Sequence, residues 1–143
     1  MPFSKILVAY DGSKSSEDAL DQAVMLVNEY KATQLEIIYV YQNQAIMSVG
    51  DVLYSPPFAK DEMYDYALTV LAKANLKTNL VSRCNTILKN GNPAKMILQH
   101  AEESEADLIV IGSRGNGSIV SLVLGSVSLN VVQHAKVPVL VVK

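Results

Sequence analysis

The sequence predicts an α/β fold: a single doubly wound domain, with a five-stranded parallel sheet in the order 3-2-1-4-5 and helices on both faces. Three observations carry this. Strand-like and helix-like patterns alternate five times along the chain, and parallel neighbours need crossover connections of that kind. The strand Ala106–Ile111 contains the uninterrupted apolar run Leu108–Ile111, as expected when helices cover both sides of a sheet. At 143 residues and 15.5 kDa, the chain has the size of one domain spanning residues 1–143.

Each element has its own signal. Lys5–Tyr10 (KILVAY) is rich in strand formers and closes on Asp11-Gly12-Ser13, a turn sequence. Leu20, Ala23, Val24 and Val27 then repeat at helical spacing, with Glu17 and Asp18 in the first turn and Ser13, Ser15 and Ser16 as alternative caps. Gln34–Val40 reads as the second strand. Tyr41–Pro57 has weak periodicity and reads as a long connection, a kind that is often functional. A long amphipathic helix begins near Ala59, with the stripe Met63, Ala67, Val70, Leu71 and Ala74 continued by Leu76 and Leu80. Thr86–Lys89 is a weak third strand ended by Asn90-Gly91. Pro93 suits the first turn of a helix reaching about Glu103, because the N–H that proline lacks is not needed there. Ala106–Ile111, a helix near Ser126–Ala135 and the strand Val137–Val142 complete the pattern.

Composition removes several classes. Half the residues are hydrophobic, so the chain is not of the disordered type. Apolar runs such as Leu108–Ile111 and Val137–Val142 fall far short of the roughly 18 residues of a membrane span. No signal-peptide pattern opens the chain, and a cytoplasmic location is expected. A net charge of −2 recruits neither nucleic acid nor anionic membrane. The single cysteine, Cys84, excludes an internal disulfide and any CxxC pair.

In doubly wound sheets ligands bind at the carboxyl ends of the strands, where the order reverses. If the order is 3-2-1-4-5, that point lies between the first and fourth strands, which end at Asp11 and Gly112. The segment after the fourth strand reads Gly112-Ser113-Arg114-Gly115-Asn116-Gly117-Ser118, and later Gly125-Ser126-Val127-Ser128 opens a helix. A helix start with a small residue presents N–H groups and the positive end of a dipole, enough to bind phosphate without lysine. The alternative is a plain loop with Ser126 as an ordinary N-cap, and from these residues alone the two readings stand level. A Walker A loop is absent, as is a GxGxxG directly after the first strand. Asp11 fits either a site carboxylate or a structural Asp-Gly turn. Arg114 reads as solvated, His100 and His134 as helix residues without a metal or base role, Cys84 as a packing or surface residue, and the tyrosines at 39, 41, 54, 64 and 66 as packing.

Gly112-x2-Gly115-x9-Gly125-Ser126 fits the ATP-binding signature of the universal stress proteins, and the chain resembles that family over nearly its whole length. Lys5–Ser13, Gly91-x-Pro93 with Ile97 and Ala101, Ala106–Val110 and Gly125–Ser128 followed by His134-Ala135 and Val137–Val142 carry the likeness; Gln42–Asn85 matches only in hydrophobic pattern. The resemblance implies that Asp11 faces the ribose or a phosphate-bound divalent ion, Mg²⁺ in the usual case. It implies that Ala9 and Tyr10 line the pocket with backbone, Tyr10 being bulky enough to narrow it, and that the main chain of Val40 reads the adenine edge. Gly112 and Gly115 would lie along ribose and phosphates, and Gly125, Ser126, Val127 and Ser128 would bind phosphate. The expected ligand is therefore ATP or another adenine nucleotide, and the expected assembly a homodimer joined through Val137–Val142, with a further protein partner unspecified.

Catalysis is not expected beyond slow ATP hydrolysis. Phosphoryl transfer needs a positioned base and charge neutralisation, and Asp11 with a metal is all the sequence offers. A nucleotidyl transferase would show an HxGH pair, and a receiver domain would show an Asp after its third strand; neither is present. The competing reading is a nucleotide-independent dimeric interaction protein, since an uncharged edge strand such as Val137–Val142 invites pairing.

Overall fold

The computed structural model describes residues 3–30, 33–42, 47–49, 52–54, 59–114 and 124–143. Its main sheet contains β1 (Lys5–Ala9), β2 (Gln34–Tyr41), β5 (Cys84–Asn90), β6 (Leu108–Gly112) and β7 (Val139–Val142). They lie in the order β5-β2-β1-β6-β7, and every neighbouring pair is parallel. Counting these five strands alone, the order is 3-2-1-4-5, as expected. The helices are α1 (Lys14–Glu29), α2 (Ala59–Thr78), α3 (Pro93–Glu103) and α4 (Ser126–His134).

Period-two alternation sorts the strands between two helical layers. Ile6, Val8 and Tyr10 of the first segment, with Leu35 and Ile37, face Leu20, Ala23 and Val27 of α1 and Val70, Leu71 and Ala74 of α2. Leu7, Ala9 and Ile38, with Ile109 and Ile111, face Ala94, Ile97 and Ala101 of α3 and Val131 of α4. The central strands therefore carry apolar residues on both faces.

The ends are set by local chemistry. Ser13 caps α1, its hydroxyl accepting from Ser16 N at 3.2 Å. Asn92 caps α3 by accepting from Lys95 N at 3.0 Å, with Pro93 at the first turn. Ala106 belongs to the end of α3 rather than to a strand, because its N–H reaches Ala101 O at 3.0 Å. The intervening Glu105 takes a left-handed φ of 58°, the conformation that closes such a helix end. Asp107 then accepts from the N–H groups of Ser4 and Lys5 at 2.8 and 3.1 Å, tying the start of β1 to the entry into β6.

Three sequence expectations change. The connection after β2 holds an antiparallel hairpin, β3 (Met47–Val49) with β4 (Val52–Tyr54). The weak strand 86–89 extends to seven residues because each one of Cys84–Asn90 pairs with β2. Leu76 and Leu80 do not continue the α2 stripe: they are 77% and 94% exposed. At 100° per residue Leu76 falls opposite Ala74's side of the helix, and Leu80 lies beyond its last turn.

Candidate functional site

Strands β1 and β6 are neighbours, yet the chain leaves them in opposite directions, β1 towards β2 and β6 towards β7. Their carboxyl ends thus form the crevice expected of a doubly wound sheet. Around it stand the Tyr10–Ser13 turn, Ser113-Arg114 and the start of α4.

The turn after β1 is self-braced. Asp11 Oδ1 accepts from Ser13 N at 2.9 Å, and Ser16 Oγ accepts from Asp11 N at 3.2 Å while donating to Ser13 O at 2.9 Å. Gly12 adopts a φ of 83°, which a side chain would resist. Asp11 therefore has the structural role of an Asx turn, and this same turn holds its half-buried carboxylate at the crevice. A magnesium ion usually takes one or two carboxylates plus substrate phosphates. That donor set fits Asp11 together with a bound phosphate chain; among the described residues no cluster of three His, Cys, Asp or Glu could hold a metal alone.

Tyr10 does not narrow the crevice. Its ring is buried among α1 and α2, and its hydroxyl donates to Glu17. Burial first, and then the hydrogen bond to Glu17, raise the phenol pKa far above its ordinary value. Glu17 Oε2 in turn lies 2.6 Å from Lys77 Nζ, which also reaches Asp21 at 3.0 Å. Burial pushes the Glu17 carboxyl up, but the bonds from Lys77 and Tyr10 and the charges of Lys77 and Lys73 outweigh it and hold the pKa low. A carboxyl lowered in the folded state stabilises it above its unfolded pKa, and that contribution fades as pH falls through the folded value. Acid unfolding followed by circular dichroism should therefore be shallower in Glu17→Gln than in the native chain below pH 4.5. Identical acid limbs would mean that the carboxylate gains nothing on folding.

The start of α4 is built differently. Gly125 is the N-cap and supplies no side-chain hydrogen bond, whereas α1 and α3 have capping side chains. Its backbone is fixed from below. Gly125 N donates to Ser113 O at 2.6 Å, and Ser128 Oγ donates to Ser113 O at 2.9 Å and to Gly125 O at 3.1 Å. Ser128 is buried, so its hydroxyl braces the helix start, while Ser126 is exposed and Val127 half-buried. What reaches the crevice from here is the first turn of backbone with its dipole.

Ser15 links this end of the sheet to α1. Its hydroxyl donates to Val142 O at 3.2 Å and accepts from Arg114 N at 3.4 Å. A β-carbon on Gly112 would stand 2.4 Å from Ser15 Oγ and 2.6 Å from its backbone carbon. Gly112 is thus required for contact between β6 and α1. No local signal in the sequence marks Ser15 or Ser113 for these roles, because both depend on contacts between distant segments. Gly115 lies outside the described residues.

Val40 is placed by the ladder. The β1–β2 register ends at Ala9↔Ile38, and Tyr10 N donates to Ile38 O at 2.9 Å. On the other side, Gly91 N donates to Tyr41 O at 2.9 Å. Peptide groups alternate direction along a strand, so the Val40 carbonyl faces the space over the end of β1. Ala9, buried on the α3 side, forms the floor beneath. The expected positions Ala9, Asp11, Val40, Gly112 and Gly125–Ser128 accordingly border one crevice, although the side chains of Tyr10 and Ser128 turn away from it.

A family model described as the universal stress protein family matches residues 2–143. The universal stress protein YxiE of Bacillus subtilis (strain 168) is 39% identical over 148 residues, covering 99% of each chain. The solved structure of the hypothetical protein MJ0577 is 28% identical with a TM-score of 0.84, covering 100% of this chain and 97% of the other. A universal stress protein solved in complex with cAMP is 26% identical with a TM-score of 0.71, covering 100% and 98%.

Proposed function

This chain belongs to the universal stress protein family, and from that premise we propose that it is a cytoplasmic, homodimeric stress-response module regulated by an adenine nucleotide, ATP with Mg²⁺. The observation that carries the nucleotide reading is the start of α4, a helix N-terminus with no side-chain cap, braced by Ser128 through Ser113 at the end of β6. Such a start favours phosphate. The outward carbonyl of Val40 suits the exocyclic amine of adenine. The complex of a relative with cAMP supports the same ligand class. Magnesium would neutralise phosphate charge, with Asp11 as its protein ligand. The described residues bring no general base to a γ-phosphate, so hydrolysis should be slow.

Ser126→Asp separates phosphate binding from a merely structural helix start. A carboxylate in the first turn favours the helix by about 0.3–1 kcal/mol, so the variant should melt no lower than the native chain. It should nevertheless bind ATP at least about tenfold more weakly, through repulsion at short range. Calorimetric titration of nucleotide-stripped protein, with and without Mg²⁺, reads this directly. Absence of saturable ATP binding by the folded native chain would remove the nucleotide reading.

The dimer reading rests on β7. Among the described residues it is an edge strand paired only with β6, and Leu140 is exposed; such an edge can pair with a second copy across a two-fold axis. Sedimentation at micromolar concentration should give twice the chain mass, and Leu140→Lys should lower it. A native monomer would rule this interface out.

A further inference from the structure

Helix α2 carries more apolar surface than the core uses. Its buried side is Ala67, Val70, Leu71, Ala74 and Thr78. Tyr64, Leu68, Ala72 and Leu76 follow one another at intervals of four, and each of them is exposed. Leu80, just past the helix end, keeps the interval and is almost fully exposed. Residues four apart stand in line on a helix surface. Apolar side chains exposed singly are ordinary, but a continuous patch of them marks a contact surface. Rows at this spacing are the ridges by which helices pack.

The row has a symmetry that identifies its occupant. Ala72 is its small member, with a leucine four residues before it and another four after. Two copies crossing antiparallel at Ala72 bring their backbones close there, and Leu68 of each then lies beside Leu76 of the other. The neighbouring row on the helix is Asp65, Thr69, Lys73 and Lys77, acidic at its amino end and basic at its carboxyl end. A two-fold axis lays this row against its own reverse, so the Asp65 end of one copy meets the lysine end of the other. Parallel pairing would oppose like charges instead. Lys77 also binds Glu17 and Asp21 of α1, so the attraction across the axis falls mainly to Asp65 and Lys73.

We propose that the row Tyr64, Leu68, Ala72, Leu76 and Leu80 is a self-association surface distinct from β7, on which two copies of the chain pack antiparallel about a two-fold axis at Ala72. Helix α2 packs on β2 and β5, at the other end of the sheet from β7, so the two surfaces are occupied independently. The row is about 24 Å long. One helix face of that length falls short of the roughly 800 Å² per partner of a stable complex, and the association is weak and reversible.

The test is disulfide trapping of the full chain. Ala72→Cys and Leu80→Cys are mildly oxidised at submillimolar concentration, and peptide mass spectrometry reads which thiols are joined, so that Cys84 is accounted for. At the axis the two Ala72 positions come within the Cα separation of up to about 7 Å that a disulfide spans, whereas the two Leu80 positions stand about 24 Å apart. Ala72→Cys should therefore link to itself at least about tenfold faster than Leu80→Cys, although Leu80 is almost fully exposed. Sedimentation over the same range should show the native mass rising with concentration. Leu76→Glu, a change at an exposed site, should reduce that rise without lowering the melting temperature. Equal rates for the two cysteine variants would mean random collision and overturn the proposal, as would a rise in mass that Leu76→Glu does not reduce. Binding of native but not Leu76→Glu protein to phosphatidylglycerol vesicles, with no link between the engineered thiols, would assign the face to a membrane and overturn it too.

Discussion

Gly112→Val should lower the melting temperature by about 10 °C, the shift that about 3 kcal/mol produces in a domain of this size. The cause is steric and lies in backbone. A β-carbon at Gly112 would meet the carbonyl carbon and oxygen of Ser15 at 2.6 and 2.8 Å, besides its hydroxyl at 2.4 Å. Rotating the Ser15 side chain relieves only the last of these contacts. Relief therefore requires α1 to move off the sheet, disturbing the Ser15 bonds to Val142 and Arg114. Gly112→Ala should already be destabilised, and Ser15→Ala combined with it should recover little. A Gly112→Ala chain as stable as the native one, measured by urea unfolding, would show that α1 yields at no cost.

The second large effect lies at the opposite end of the sheet. Glu36 is a carboxylate about one-tenth exposed on β2. His100 Nε2 of α3 stands 2.8 Å from Oε2, and Lys5 Nζ of β1 stands 3.6 Å from Oε1. Lys5 also donates to Ser104 O at 2.8 Å. Removing one member of a buried ionic cluster leaves the others uncompensated, so Glu36→Ala should cost about 3 kcal/mol. Replacing Glu36 and His100 together by leucine should recover part of that loss, because the imidazole is then no longer left without its partner, while Lys5 keeps only its bond to Ser104 O. A double variant as unstable as Glu36→Ala would instead point to packing, not charge, as what holds α3 on β2.

Legibility differed from residue to residue. The alternation of Ile6, Leu7 and Val8 and the spacing of Leu20, Ala23 and Val27 are repeats within single elements, and the structure buries them as those repeats require. Given the 3-2-1-4-5 order, the gathering of Asp11, Gly112 and Gly125 at one crevice follows from where strands end. The same reading placed Tyr10 against the crevice, but its ring enters the α1–α2 core, where Glu17 accepts from its hydroxyl and in turn pairs with Lys77. It set Gly112 along a ligand, and the structure gives the missing β-carbon a further role, making room for Ser15. The tyrosines of β2 and α2 looked like separate packing residues until the two elements brought Tyr39, Tyr41 and Tyr66 around one hollow. The β3–β4 hairpin has too few residues per strand to leave a clear periodicity.

The sequence by itself determined the class of fold, the faces of β1, α1 and α3, the caps available to the helices, and the family. Each of these depends on residues a few positions apart, where backbone preference and side-chain period act directly. Only the tertiary structure decided that Ser128 braces Ser113, that Gly112 makes room for Ser15, and that Glu36 unites Lys5 with His100. Those contacts join segments remote in sequence, and their partners are chosen by how the crossovers pack the helices on the sheet. Local pattern can say that a residue is buried; it does not say against what.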